Sequence, residues 1–462
     1  MTILGLENRF KVSSMPASRL HPTLNCRNRL SFWQNTSHRA LERKEYSTLG
    51  TADAVSKPAR FVELDSLRGL AALSVVLHHC RVMWETDTQP ASPFLRSLLS
   101  LVAPIGFEAV LLFFVLSGFV LSLPAVTGKP QRYSTFVIRR VFRIYVPYLA
   151  ALAVSVAGAL WLHGAVTRSD WFNKSWSEAV NWQLVGRHLL FVGVFDTNQF
   201  DNPIWSLIHE MRISLVFPLL CALVLRIGTR RSLALALGLS CAAILFELRP
   251  FVIDGDLTGS LHYAAFFVLG ILLARHRTRL GAWLSRRRKL TRTLALVAAL
   301  VIFLFAGPQI LQHFSRPSHY WRNKPFSDWI TALGAGGLII ISLSSAICKR
   351  FLFWKPIRFL GKISYSLYLW HFIVMLYCIH LLYGKMPLGA ILCLVLVLTF
   401  PVSWCSYRWI ELPSIALGRR LSDIRLTRPV KVKTQGAGDL QLAPKQGIDA
   451  PDGNSVDGSS TT

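Results

Sequence analysis

Long apolar stretches alternate with short polar ones along most of the chain. A helix that crosses roughly 30 Å of hydrocarbon needs about 20 mostly apolar residues, and ten stretches approach that length. They lie near residues 66–84, 100–123, 145–163, 204–225, 231–247, 260–274, 291–307, 328–348, 363–383 and 387–408. The shortest is 260–274, and "RHLLFVGVF", residues 187–195, predicts only a re-entrant or interfacial segment. The pattern therefore predicts an all-α, polytopic membrane helix bundle with about ten transmembrane helices.

The two ends of the chain lack this pattern. Residues 1–60 contain no apolar core of a signal peptide and mix Arg, Ser, Asn and Thr, which also resembles a mitochondrial transit peptide. We favour a basic, disordered cytoplasmic arm there. Residues 416–462 are rich in Gly, Ser, Asp and Pro, which predicts a disordered cytoplasmic tail. The membrane domain is predicted over 61–415, and any chemistry is expected inside or at the rim of its bundle.

Composition and charge agree with a membrane protein. Hydrophobic residues make up 52% of the chain and the formal net charge is +27. With the N-terminus in the cytoplasm, the cytoplasmic loops hold 21 Lys and Arg residues and the opposite loops hold nine. This asymmetry follows the positive-inside rule and predicts both termini in the cytoplasm. The charge therefore gives no reason to expect nucleic acid, and we predict an integral multi-pass protein of the plasma membrane or an endomembrane.

The eight cysteines show neither paired nor metal-type spacing. Seven of them fall in or beside apolar stretches, where a thiol behaves as a small apolar group. We therefore expect neither a disulfide framework nor a metal site.

Polar groups interrupt the first apolar stretch, "LDSLRGLAALSVVLHHC", residues 64–80. Arg68 and His79 are eleven positions apart, so they differ by only about 20° around a helix and share one face. His78 lies about 80° from Arg68 by the same geometry. Asp65 could pair with Arg68 or cap the helix, and the cap is favoured. Charged groups at membrane depth are costly, so they tend to line a functional cavity.

A second polar set lies in "NPIWSLIHEMRISLVFPLL", residues 202–220. Ser206 and Glu210 share a helix face, while His209 and Arg212 point elsewhere. Glu210 could be a solvated acid beside Arg212 in the headgroup zone. We slightly favour a functional acid, since a carboxylate can orient a histidine and stabilise its protonated form.

Two further sets are ambiguous. Arg140 and Arg143 begin an apolar stretch, where arginines usually anchor a helix to the cytoplasmic surface, although guanidinium groups also bind phosphates well. His371, in "LGKISYSLYLWHF", is more typical of a packing group than of a catalyst. Glu108 has no assigned role.

Taken together, these stretches resemble the acyltransferase 3 family of integral membrane O-acyltransferases, from about residue 61 to residue 413. The family's R-x10-H signature falls on Arg68 and His79, its R-x-x-R on Arg140 and Arg143, and the acid of its W-S-L-x-x-E on Glu210. Further motifs of the family are matched by "FFVLSGFVLS", "LGKISYSLYLWH" and "YRWIELP". Two departures stand out: Ile213 and Ser214 replace an aromatic pair, and only a short tail stands where many members carry an esterase-like domain.

The resemblance implies transfer of an acyl group, commonly acetyl, from acyl-CoA to a hydroxyl. His79 would be the general base, since a neutral imidazole suits that task near pH 7 and apolar surroundings favour the neutral form. Glu210 would be an orienting or acceptor-binding acid. Arg68, Arg140 and Arg143 would hold the phosphates of the donor substrate, and no permanently bound cofactor is implied. The acceptor could be a glycan, a lipid or a natural product, and transfer could be direct or through an acyl-histidine.

The alternative is a proton-coupled transporter that uses the same arginine, histidine and glutamate residues as its path. Many transporters show inverted repeats, and no repeat is visible in this chain. A non-catalytic scaffold would not explain why polar groups share faces in two separate stretches.

Overall fold

A computed structural model describes residues 61–88, 106–247, 255–305 and 320–427, and every regular element within these ranges is helical. The predicted N-terminal arm lies outside the described residues, as does the predicted tail beyond residue 427. Residues 416–427, which were predicted as the start of the disordered tail, are helical. The helices are α1 Val62–Thr88, α2 Phe107–Val126, α3 Tyr133–Leu162, α4 Trp182–Leu190, α5 Trp205–Ile227, α6 Thr229–Glu247, α7 Gly255–Ser285, α8 Lys289–Phe305, α9 Tyr320–Ser344, α10 Ala346–Leu352, α11 Lys355–Leu382, α12 Leu388–Ser406 and α13 Leu412–Thr427, with a π-helical turn at Tyr407–Glu411.

Eight of the described helices are long and apolar enough to cross a membrane. They are α2, α3, α5, α6, α7, α9, α11 and α12, the last joined to α13. The prediction of an all-helical, multi-pass membrane protein is confirmed. The other two predicted spans correspond to α1, which carries several polar groups, and α8, which has 17 residues.

Two boundaries differ from the predicted ones. The stretch predicted as shortest, 260–274, is the centre of α7, which has 31 residues and is the longest described helix. The apolar window was short because α7 continues into polar sequence at both ends. Near residues 187–195 the chain forms the short helix α4, which ends at Phe191 with a positive φ of 58°.

Helices α1 and α11 pack side by side and run in the same direction. Two hydrogen bonds show this direction. Ser66, near the start of α1, bonds to Leu352, which precedes α11, and Asp87, near the end of α1, bonds to Tyr383, which follows α11. Their backbones meet at Gly69 and Gly361, where an added Cβ on Gly361 would lie 2.7 Å from the carbonyl carbon of Asp65. Small residues permit such close approach between membrane helices.

The crossing at these two glycines fixes the level, along the helix axes, of the side chains that follow it in α1 and α11. His79 and His371 each lie ten residues beyond the glycine of their own helix. Since both helices rise by about 1.5 Å per residue, the two histidines reach the same level of the bundle. The segment between α3 and α5 packs against the ends of α1 and α11 near this level, through Trp171, Phe172 and Trp176.

Candidate active site

His79 and His371 form a direct hydrogen bond between α1 and α11. Nδ1 of His79 lies 2.8 Å from Nε2 of His371. The ring planes differ by only 12° and the ring centroids are 5.0 Å apart, so the hydrogen bond lies close to the plane of both rings. His371 is fully buried, whereas His79 is partly exposed. The pair therefore joins a fully buried histidine to one that is partly exposed.

The hydrogen bonds fix which nitrogen of each neutral ring carries the proton. Nδ1 of His371 lies 2.7 Å from the carbonyl oxygen of Tyr368, which can only accept, so this nitrogen donates. Nε2 of a neutral His371 must then accept, and Nδ1 of His79 must donate to it. Nε2 of a neutral His79 is left without a proton. Among the described residues this nitrogen has no hydrogen-bond partner, so its lone pair is available as a base.

Aromatic rings enclose His79 on its other sides. The indole of Trp171 stacks on the imidazole with centroids 5.6 Å apart and planes 19° apart. Phe372 packs at 5.8 Å, and His78 meets the ring edge-on at 5.7 Å. These contacts restrict the rotation of the His79 ring, which the hydrogen bond to His371 already orients.

Glu210 lies at a separate, buried centre where α2, α3 and α5 meet. Its carboxylate forms an ion pair with Arg140 and accepts a hydrogen bond of 2.7 Å from the hydroxyl of Ser117. Nε of Arg140 donates to the hydroxyl of Ser214 at 3.0 Å. Ser214 occupies one of the two positions where the family often has an aromatic pair, and here it binds the arginine instead.

Arg68 and Arg143 border the same centre and remain less engaged than Arg140. Within the described residues neither forms a hydrogen bond or a close ion pair. Arg68 interacts electrostatically with Arg143 and Glu210. Arg143 is the cation that acts most strongly on buried Glu411. Three guanidinium groups therefore share one region with the carboxylates of Asp65, Glu210 and Glu411. Within the described residues, Arg140 is the member of this group held by a close ion pair.

A narrow cavity of about 30 Å³ lies beside this centre. Arg68 and Glu210 line it together with Ser206, Tyr365 and Tyr368. The ring of Tyr368 lies 6.0 Å from that of His371, one helical turn further along α11. This cavity can hold about one water molecule, and Tyr368 in its wall packs beside His371.

The structure thus arranges the predicted residues in two groups. Arg68, Arg140, Arg143 and Glu210 lie together, while His79 lies about 16 Å from Arg68 along α1. Glu210 contacts Arg140, and the group that contacts the His79 ring nitrogen is His371. No cluster of three or more His, Cys, Asp or Glu side chains that could hold a metal is present in the described ranges.

Sequence reasoning missed two members of the site. His371 was interpreted as a packing group, although it lies in the quoted "SLYLWH" segment. Glu411 was given no role, although it lies in "YRWIELP", where the π-helical turn Tyr407–Glu411 directs it to Ser366 at 2.8 Å. Such turns often occur at functional sites.

Comparison with known proteins identifies similarity over most of the described region. A family model for an acyltransferase domain, acyltransferase 3, matches residues 61–408. No solved structure matches the chain at a significant level.

Several curated proteins are similar to the chain. A protein of Komagataeibacter xylinus, named as a membrane-bound transacylase, is 27% identical over 82% of this chain and 88% of its own length. A peptidoglycan O-acetyltransferase of Listeria monocytogenes is 24% identical over 76% of this chain and 55% of its own length. An O-acetyltransferase of Staphylococcus aureus is 22% identical over 81% of this chain and 60% of its own length. The chain therefore spans little more than half of the latter two proteins.

Proposed function

Because this chain belongs to the acyltransferase 3 family and is a multi-pass membrane protein, we propose that it transfers an acetyl group from acetyl-CoA to a hydroxyl of an acceptor. His79 is the general base of this reaction. The hydrogen bond between His79 and His371 carries the proposal, because it leaves an unprotonated nitrogen, Nε2 of His79, on the partly exposed member of the pair.

The proposed reaction needs one proton relay at His79. Nε2 takes the proton from the acceptor hydroxyl while the hydroxyl oxygen attacks the thioester carbonyl. The resulting imidazolium returns this proton to the sulfur of the departing CoA. His371 is a positioning residue: it accepts from Nδ1 of His79, holds the ring in one tautomer and stabilises the positive charge that develops. Transfer through an acetyl-histidine would use the same nitrogen.

The arginine region is the proposed site for the phosphates of the donor. Arg68 and Arg143 would bind the phosphates, since neither forms a hydrogen bond or a close ion pair within the described residues, and Glu210 holds Arg140 in place through their ion pair. About 16 Å separate Arg68 from His79, a distance that a donor with phosphates at one end and a thioester at the other can bridge. Glu210 is thus proposed as an acid that orients the donor site, with a role in acceptor binding as the alternative.

The same proposal assigns an orientation in the membrane. The chain spans the bilayer ten times, with α1 and α8 as the additional spans, and both termini lie in the cytoplasm. The membrane domain is residues 61–415, between a cytoplasmic arm and tail. The arginine region then faces the cytoplasm, where acyl-CoA is made, and the histidine pair lies nearer the opposite side. A glycan is the favoured acceptor, since two relatives are named as O-acetyltransferases, one of them of peptidoglycan.

The test is transfer of radiolabelled acetyl from acetyl-CoA into cell-envelope material by membranes that contain the protein. We expect wild-type membranes to label the envelope and His79→Ala to lose about 10²- to 10⁴-fold in rate, the usual contribution of a positioned base. His78→Ala is the matched control, since it removes the neighbouring imidazole on the same helix. Equal losses in the two variants would argue against His79 as the base. Movement of a solute or protons by wild type, without labelling, would support the transporter.

A further inference from the structure

The indole of Trp171 covers one face of the His79 ring. The two rings are stacked, and the indole also meets Phe372 edge-on at 5.5 Å. Trp171 lies in the segment between α3 and α5, at the end of α1 away from Arg68, and its side chain is partly exposed. The Trp171 indole therefore lies between the His79 imidazole and the exterior of the bundle on that side.

Hydrogen bonds on the N-terminal side of Trp171 hold this segment to the end of α1. The backbone N–H of Arg168 donates to a carboxylate oxygen of Asp87 at 2.9 Å, and the same carboxylate accepts from the hydroxyl of Tyr383 at 2.8 Å. The hydroxyls of Ser169 and Thr86 are 2.5 Å apart. The segment is thus tied to both α1 and the end of α11 close to the indole.

A second anchor lies on the C-terminal side of Trp171. Trp176 is fully buried, with a positive φ of 57° that non-glycine residues rarely adopt. Its indole N–H donates to Ser155 at 3.0 Å, and its ring packs edge-on against Tyr377. An added Cβ on Gly158 would collide with this ring. Backbone strain of this kind persists only where the surroundings enforce it, so the segment holds a fixed position over the histidines.

We propose that Trp171 determines the choice between the acceptor hydroxyl and water at His79. This inference rests on the proposed function. A base that accepts a proton from an acceptor hydroxyl accepts one equally from water, and the acetyl thioester then gives acetate and CoA. Excluding water from a closed site prevents such side reactions. The Trp171 indole covers one face of the His79 imidazole and so limits the directions from which water can approach Nε2 at the edge of that ring.

The experiment measures two products at once, with the full chain in membranes and labelled acetyl-CoA. The first is label in cell-envelope material and the second is free labelled acetate. Wild type is expected to label mainly the envelope. Trp171→Ala is expected to raise the ratio of acetate to envelope label severalfold, while Trp171→Phe, which keeps an aromatic ring, stays close to wild type.

Three controls make the result specific. Trp182→Ala removes an exposed indole of the next helix, α4, and is expected to leave the ratio unchanged. The double variant His79→Ala/Trp171→Ala must lose the additional acetate, because that acetate arises at His79. If Trp171→Ala does not fold, Trp171→Leu, which keeps bulk without a stacked ring, is expected to show a smaller rise in the ratio.

The outcomes separate this inference from the proposed function. If wild type forms neither product, the proposed function fails. If wild type labels the envelope but Trp171→Ala, or Trp171→Leu in its place, lowers both products in proportion, Trp171 is only a packing residue and the inference is overturned. Acetate that persists in the double variant would overturn it as well.

Discussion

At the scale of single residues, the position of one proton on His79 depends on His371. We expect His371→Ala to lower kcat by about 10²-fold, the lower end of what a positioned base contributes, because the His79 ring loses the acceptor that fixes its tautomer. KM for acetyl-CoA should change little, since the proposed site for the donor phosphates lies about 16 Å away at Arg68. His371→Gln, whose amide oxygen can accept from the same N–H, should recover part of the rate. A rise in KM with unchanged kcat in steady-state assays would contradict the positioning role.

Arg143 provides a second test, directed at the donor. Hydrogen bonds to charged groups contribute about 1.5–3 kcal/mol, so Arg143→Ala should raise KM for acetyl-CoA by about 10- to 100-fold. Arg139→Ala is the matched control on the same helix. Arg139 pairs with exposed Asp423 at 2.9 Å, and exposed pairs contribute little. Equal KM values for the two variants would mean that Arg143 only anchors α3 at the membrane surface.

The ion pair between Glu210 and Arg140 predicts an effect on stability. Removing one partner of a buried pair leaves an uncompensated charge and costs about 3–5 kcal/mol. Glu210→Gln should therefore lower the thermal unfolding temperature of the purified protein. The double variant Glu210→Gln/Arg140→Gln should be more stable than Glu210→Gln alone, because the unpaired cation is gone. If the second change brings further loss of stability, the pair is not the main partner of either group.

At the scale of helices, the meeting of α1 and α11 at two glycines controls the histidine pair. An added methyl group on Gly361 would meet the backbone of α1 near Asp65, and overpacking of this kind costs about 1–3 kcal/mol. Gly361→Ala should therefore reduce both stability and kcat, because α1 moves away and the hydrogen bond between His79 and His371 lengthens. Thermal unfolding and the acetyl-transfer assay measure the two effects.

Gly238→Ala supplies the control for this prediction. Gly238 lies inside α6 with open space around its Cα, and alanine is the better helix former. We expect unchanged activity and equal or slightly higher stability. If Gly361→Ala behaves in the same way, the close approach of α1 and α11 is not required for the site.

The relative positions of side chains within one helix could be predicted from the sequence, whereas contacts between side chains of different helices could not. Helical periodicity alone places Arg68 and His79 on one face of α1. It cannot find His371, which is 292 positions away and reaches His79 only through the glycine crossing. The ion pair between Glu210 and Arg140 could not be predicted for the same reason: the partner comes from a different helix.

The ends of helices were predicted less well than their centres. An apolar window detects the part of α7 that lies in hydrocarbon, whereas the helix continues for several residues into polar sequence at both ends. The resemblance to a family added what periodicity could not, since it selected Arg140 and Arg143 from many basic residues with the same local pattern. It was silent on Trp171, which lies in the segment that packs over α1.

At the scale of the whole molecule, the topology decides which side supplies the donor. Four consecutive basic residues, Arg286–Lys289, form the loop between α7 and α8 and the first residue of α8, and the positive-inside rule places such loops in the cytoplasm. The segment between α3 and α5, which carries Trp171, must then face the opposite side, because an odd number of spans separates the two.

We expect Glu178→Cys, in a cysteine-free background, to react with a membrane-impermeant maleimide in intact cells. Arg288→Cys should react only after permeabilisation; both positions are exposed, so a difference reports sidedness. Reversed labelling would place the arginine region outside the cytoplasm and remove acyl-CoA as the donor, whereas labelling of both in intact cells would mean that the odd number of spans between them is wrong.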